Sequence, residues 1–217
     1  MNTQVMPTGP EWFGHPRGLF VCFATEMWER FSFYGMKYLL VLFLVQHHLF
    51  TDGEALRILG VYTALVYATP LLGGIVSDRY LGQTHAVKLG GILLVLGHCA
   101  MAFEGIPASE TVGGDIVRDQ EAIKVFYFAL ALIVVGVGLL KPNISTVVGR
   151  LYKDDDPRRD GGFTIFYMGI NVGAASAALL CGWLASAYGW SYGFGAAGIG
   201  MLIGLVIFSL GRDWLQG

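Results

Sequence analysis

Val125-Phe126-Tyr127-Phe128-Ala129-Leu130-Ala131-Leu132-Ile133-Val134-Val135-Gly136-Val137-Gly138-Leu139-Leu140 carries no charge over sixteen residues. It is the middle of a longer apolar run, Ile123–Val148. A helix needs about 20 apolar residues to cross the roughly 30 Å hydrocarbon core of a bilayer, and this run supplies them. Five more runs of similar length accompany it: Leu19–Gln46, Ala55–Ser77, His85–Phe103, Gly161–Ala187 and Ser191–Leu210. Six such runs predict an all-α, multi-pass membrane protein, a single six-helix bundle over residues 1–217.

Composition agrees. Apolar residues are 54% of the 217, and the 31 glycines raise the total to about 68%, against roughly 45–50% in a soluble domain scored the same way. Charged residues are 14%, too few to coat a water-soluble domain of this size. Net charge is −2, which excludes a basic field for nucleic acid. Cys22, Cys99 and Cys181 lie far apart in apolar runs, giving neither a disulfide framework nor metal spacing, and read as small packing residues. His98 and the pair His47-His48 also lack metal spacing and read as satisfied or interfacial histidines, so no metal site is expected. No cofactor is expected either: Gly136-Val137-Gly138 follows no strand, and no phosphate-binding loop motif occurs. No nucleophile sits beside a base, so the chain does not read as an enzyme. The start, Met-Asn-Thr-Gln with Pro7, Pro10 and Pro16, does not read as a signal peptide.

Orientation follows from Lys and Arg. With both termini on one side, that side holds Arg17, Arg79, Lys88, Arg150, Lys153, Arg158, Arg159 and Arg212, and the other Arg57, Arg118 and Lys124. The positive-inside bias predicts cytoplasmic termini in the inner (cytoplasmic) membrane. Arg30, Lys37 and Lys141 remain, inside spans.

The first run contains Glu26, Glu29, Arg30 and Lys37. Four isolated charges at about 2.5–3.5 kcal/mol each would cost roughly 10–14 kcal/mol near the bilayer centre. They must therefore be paired or wetted. At 100° per residue Glu26, Arg30, Phe33 and Lys37 share one helix face, with Glu29 beside it, so that face lines a polar cavity. A buried ion-pair lock is one explanation. Proton traffic is the other, since a carboxylate beside Arg is held ionised by charge and pushed toward protonation by desolvation.

Glu26-x-x-Glu29-Arg30-Phe31-x-Phe33-Tyr34 resembles the E-x-x-E-R-F-x-Y-Y signature of the proton-dependent oligopeptide transporters, a branch of the major facilitator superfamily. It departs at Phe33, where the family usually has Tyr. Three further motifs follow in order. Gly73-Gly74-Ile75-Val76-Ser77-Asp78-Arg79-Tyr80-Leu81-Gly82 resembles the loop between helices 2 and 3. Gly138-Leu139-Leu140-Lys141-Pro142-Asn143-Ile144-Ser145 resembles the helix 4 motif, and Phe166-Tyr167-Met168-Gly169-Ile170-Asn171-Val172-Gly173 that of helix 5. The resemblance implies proton-coupled symport of di- and tripeptides, with protons as the coupling ion. It implies Glu26, Glu29 and Arg30 as the proton-coupling group. Arg30, Phe33, Tyr34, Lys37, Tyr67, Lys141, Tyr167 and Asn171 become the substrate site, with Lys37 and Lys141 helping hold the peptide carboxylate. Lys37 stands where the family often has Arg, which keeps the charge and loses the planar fork. Asp78 and Arg79 become a gating loop that braces helix ends.

From the residues alone, Pro142 should free a carbonyl and bend the fourth helix at Lys141. Tyr167 and Asn171 share a helix face one turn apart, facing either a cavity or a neighbouring helix. Gly169, Gly173 and Ala177, and the glycines of the last run, suit close helix contact, and where exposed should favour self-association. The family fold has two six-helix bundles, so the expectation is a truncated chain whose partner is the C-terminal bundle, or a half-size protein pairing with a second copy. Two alternatives stay open: a membrane binding or assembly module that does not transport, and a carrier of another solute such as nitrate.

Overall fold

The computed structural model describes residues 11–215; the start Met1–Pro10 lies outside the described residues, and with it the signal-peptide reading. Among the described residues there are six long helices: α1 (Arg17–Gln46), α2 (Asp52–Val76), α3 (Gln83–Met101), α4 (Gln120–Arg150), α5 (Arg159–Tyr188) and α6 (Trp190–Leu210). Each apolar run lies on one of them, with ends differing by less than a turn. Five of the six are long and apolar enough to span a membrane; α1 is long enough, but any eighteen-residue stretch of it holds three or more charges.

Local chemistry sets the helix ends. Thr51 caps α2: its hydroxyl accepts from the Glu54 amide while Glu54 Oε2 accepts from the Thr51 amide at 2.9 Å, a reciprocal pair that satisfies two otherwise unpaired donors. Asp119 caps α4 by accepting from the Glu121 and Ala122 amides at 3.0 and 3.1 Å. After α2 the chain tightens into a π-helical turn, Ser77–Leu81, closed by the Gly82 amide donating to Ser77 at 2.8 Å. Asp78 and Arg79 are exposed on this turn. Asp78 accepts from Gln83 Nε2 across it at 2.9 Å, and among the described residues Arg79 forms no ion pair.

Two short ribbons lie outside the helices. Glu11–Trp12 (β1) pairs antiparallel with His15–Pro16 (β2). The Phe13-Gly14 turn between them has positive φ at both residues (49° and 78°), the hairpin geometry that matches strand twist. Arg158 donates to Glu11 at 2.9 Å, His15 meets the Tyr152 hydroxyl at 2.8 Å, and the Arg17 guanidinium lies against the rings of Trp12 and Trp214. The ribbon thus ties the start of α1 to the α4–α5 connection and the end of the described chain. Between α3 and α4, Ser109–Glu110 (β3) pairs with Ile116–Val117 (β4).

Small residues decide the packing. The α5 glycines Gly169 and Gly173 turn inward: an added Cβ would lie 3.0 Å from the Phe23 carbonyl and 3.0 Å from Arg30 Cβ respectively. Gly200 and Gly204 of α6 press on Phe31 and Trp28, and Gly198 on Cys99. These positions are used for helix contact inside the bundle, whereas Gly195 faces open space. Gly73 of α2 abuts the Gly138 carbonyl, the one whose α-helical donor Pro142 removes. Helix α4 is continuous through Pro142, with Lys141 one residue before the freed turn.

Cys22 and Cys181 are buried, and Cys99, the exposed one of the three, still meets α6 at Gly198. Among the described residues neither ring nitrogen of His98 or His48 is hydrogen-bonded, which corrects the satisfied reading for His98; His48, just past the end of α1, keeps the interfacial one. His47 is satisfied, meeting the Glu104 carbonyl at 2.9 Å.

His48 sits just past the end of α1, its backbone carbonyl taking a hydrogen bond from Arg118 at 2.7 Å. Burial, with help from His47 and Arg118, holds its imidazole down at about 4. An unfolded chain binds that proton near pH 6.5, so the stabilisation is complete above about 6.5 and is lost as pH falls toward 4. Thermal unfolding of the protein should therefore lose midpoint between pH 7 and 4.5. His48→Phe, whose ring can keep the edge-on contact with Phe43, should lose less; an equal loss would contradict this assignment.

Candidate functional site

The bundle leaves a cleft because its helices pack in two sets. Helix α1 lies along α5 and α6, α4 lies along α3 and α2, and α3 meets α6 at the back. Contacts of α1 with α2 and α4, and of α4 with α5, are slight. The candidate residues come from the four helices around that gap: α1, α2, α4 and α5.

The α1 charges form one cluster. Arg30 clamps Glu29 with two donors, Nε to Oε2 and Nη2 to Oε1, and Nε also lies 3.4 Å from Glu26 Oε1 one turn below. All three side chains are almost fully buried, at 1–2% exposure. The fork of Arg suits this, since a planar guanidinium serves two carboxylates in fixed geometry. Gly173 makes room for it, since any side chain there would strike Arg30 Cβ and the backbone of α1. Removing one partner of such a buried pair typically costs about 3–5 kcal/mol because the other charge is left uncompensated. Glu26 Oε2 has no hydrogen-bond partner.

Phe33, buried at 3% exposure, is the platform beside this cluster. The Arg30 guanidinium lies 4.8 Å from its ring centre and Lys37 Nζ 5.8 Å. Cation–π attraction of about 0.5–2 kcal/mol eases the placement of two like charges about two turns apart on one helix face. Tyr34 meets Phe33 edge-on and stacks on Tyr38.

Lys37 and Lys141 are half-buried and, among the described residues, form no ion pair. Of the three cations in the spans, the carboxylates pair with Arg30. Arg30 alone takes both, and Lys141 Nζ instead lies 5.8 Å from the Tyr67 ring. Two carboxylates against Arg30, Lys37 and Lys141 leave the cleft with one excess positive charge. Tyr67, Tyr167 and Asn171 are exposed on α2 and α5; of the three, Tyr67 is brought to the site by its contact with Lys141. At the end of α4, beside the α4–α5 connection, an open depression of about 470 Å³ is lined by Ser145, Arg150, Asp154 and Arg159 among others.

Sequence reasoning missed Tyr62. It stacks on Phe33 with ring centres 6.3 Å apart, and its hydroxyl is buried and unpartnered. A signal was present: the buried positions of α2 are Ala55, Tyr62, Val66 and Gly73, one seam at helical spacing, whereas Tyr67 lies about 140° away.

Comparison with known proteins points one way. The family model described as the POT family matches residues 84–217. The chain is 44% identical over 218 residues to the uncharacterized transporter YclF of Bacillus subtilis, covering 97% of this chain and 41% of that protein. It is 46% identical to the peptide transporter YePEPT of Yersinia enterocolitica (93% and 38% covered) and 42% identical to a di-/tripeptide transporter of Lactococcus lactis (94% and 39%). A crystal structure of a peptide transporter POT in complex with sulfate superposes with a TM-score of 0.86 at 42% identity, over 97% of this chain and 41% of that one. The chain thus spans about two fifths of the length of the relatives it matches.

Proposed function

The chain belongs to the POT family, and from that membership we propose that it is the N-terminal six-helix bundle of a proton-coupled symporter of di- and tripeptides. One observation carries the proposal: Arg30 is saturated by two buried carboxylates while Lys37 and Lys141 stay unpaired in the same cleft. The first group can hold or release a proton, and the second can receive an anion. A free peptide brings a carboxylate, and charge-assisted hydrogen bonds to lysine suit it.

In this mechanism Glu26, Glu29 and Arg30 couple the proton. Arg30, Phe33, Tyr34, Lys37, Tyr67, Lys141, Tyr167 and Asn171 form this bundle's wall of the substrate site. Protonating Glu29 weakens its hold on Arg30, which frees the guanidinium for the peptide carboxylate; releasing the peptide returns Arg30 to Glu29. Alternating access needs a second wall that rocks against this one, supplied by a C-terminal bundle or a second copy. Asp78 and Arg79, on the exposed turn after α2, act as a gate. The protein lies in the inner membrane with both described ends cytoplasmic, as the charge bias of the connections supports.

The test is competition for the site of the assembled transporter by free and C-terminally amidated dipeptide. Losing one hydrogen bond to a charged group, about 1.5–3 kcal/mol, should weaken the amidated peptide by at least about tenfold. Equal competition would remove Lys37 and Lys141 from the carboxylate site.

A further inference from the structure

The inward seam of α2 places one polar atom where an apolar one would pack as well. Tyr62 is 3% exposed, and its hydroxyl has no hydrogen-bond partner. Phenylalanine would keep the stack on Phe33 and avoid burying an unpaired donor. The hydroxyl lies within the field of Glu29 and Arg30. The same cluster holds a second orphan, the unpartnered Oε2 of Glu26. Arg30 gives Glu29 two donors and Glu26 one longer contact, so Glu29 loses most if Arg30 turns to another anion.

We propose that Tyr62 is a positioning residue for the proton-coupling step, its hydroxyl donating to the Glu29 carboxyl group, directly or through one water, when that group is released from Arg30, and more strongly once it gives up its proton. This rests on the symport reading above. The donor is held ready by the ring stack, so the released carboxylate is not left bare in an apolar wall. The other groups facing the cluster are Cys22, Glu26, Arg30, Tyr34 and Lys37 on α1 and Lys141 on α4. Helix α5 contributes no charged side chain between Gly161 and Ala187. Lys141 sits half-buried beside Tyr67, and on α2 the buried hydroxyl without a partner among the described residues is that of Tyr62, stacked on Phe33 beside the cluster.

Tyr62→Phe removes only the hydroxyl, so it should fold with unchanged or higher thermal stability. In the assembled transporter it should move the pH of half-maximal, gradient-driven dipeptide uptake upward by about one unit, the tenfold expected for one hydrogen bond to a charged group. An unchanged pH profile would overturn the proposal, because a merely structural hydroxyl leaves the profile alone. A second readout needs no transport: the acid-minus-neutral infrared difference spectrum of the 217-residue chain in lipid nanodiscs. It should contain a carboxyl band together with a tyrosine band; Glu29→Gln should lose both and Tyr62→Phe the tyrosine band. A spectrum whose tyrosine bands survive Tyr62→Phe unchanged would overturn it too. If wild-type uptake proves independent of the proton gradient, the symport reading fails, and the spectra still decide whether Tyr62 serves Glu29.

Discussion

Arg30→Met in the assembled transporter should abolish dipeptide accumulation and destabilise the bundle more than any other single change in the cleft. The arginine is the sole ion-pair partner of Glu26 and Glu29 among the described residues, and Met leaves two carboxylates buried at 1–2% exposure with no counter-charge. Stranding a buried charge typically costs about 3–5 kcal/mol, and here two are stranded. They will bind protons or drag water into the α1–α5 contact, where Gly173 leaves no slack. The triple change Glu26→Gln, Glu29→Gln, Arg30→Met should recover thermal stability without recovering accumulation. A single Arg30→Met variant that unfolds like the wild type, or accumulates peptide, would contradict the pairing described for α1.

The second large effect separates proton coupling from substrate binding. Glu29→Gln keeps the shape and one hydrogen-bonding oxygen but cannot exchange a proton, and Glu26→Gln does the same one turn away. Each should end accumulation against a gradient. Counterflow, in which labelled peptide exchanges for unlabelled peptide with no net proton movement, should remain in part, because Lys37 and Lys141 are untouched. Counterflow lost together with accumulation would place the glutamates in peptide binding instead.

Much of this was legible in the sequence because it is local. Helices α2 to α6 follow from long apolar runs bounded by Asp, Gly and Pro. The ion cluster follows from i, i+3 and i+4 spacing on a span that could not afford isolated charges. What was not legible depends on which helix faces which. The unpaired state of Lys141 depends on α4 tipping it toward Tyr67, and the inward turn of Gly169 and Gly173 depends on α1 lying across them. Tyr62 escaped notice because its meaning comes from Phe33 on another helix. The unsatisfied nitrogens of His98 and His48 escaped for a related reason: spacing can exclude a metal, but only packing reveals whether a ring finds a partner.

The most direct test of proton-coupled peptide symport is the accumulation of a labelled dipeptide in proteoliposomes carrying the assembled transporter, under an inward proton gradient with and without a protonophore. Accumulation above the external concentration that collapses when the protonophore is added, and that is absent in Glu29→Gln, is the result expected. Peptide levels that are the same with the gradient intact and dissipated would contradict it.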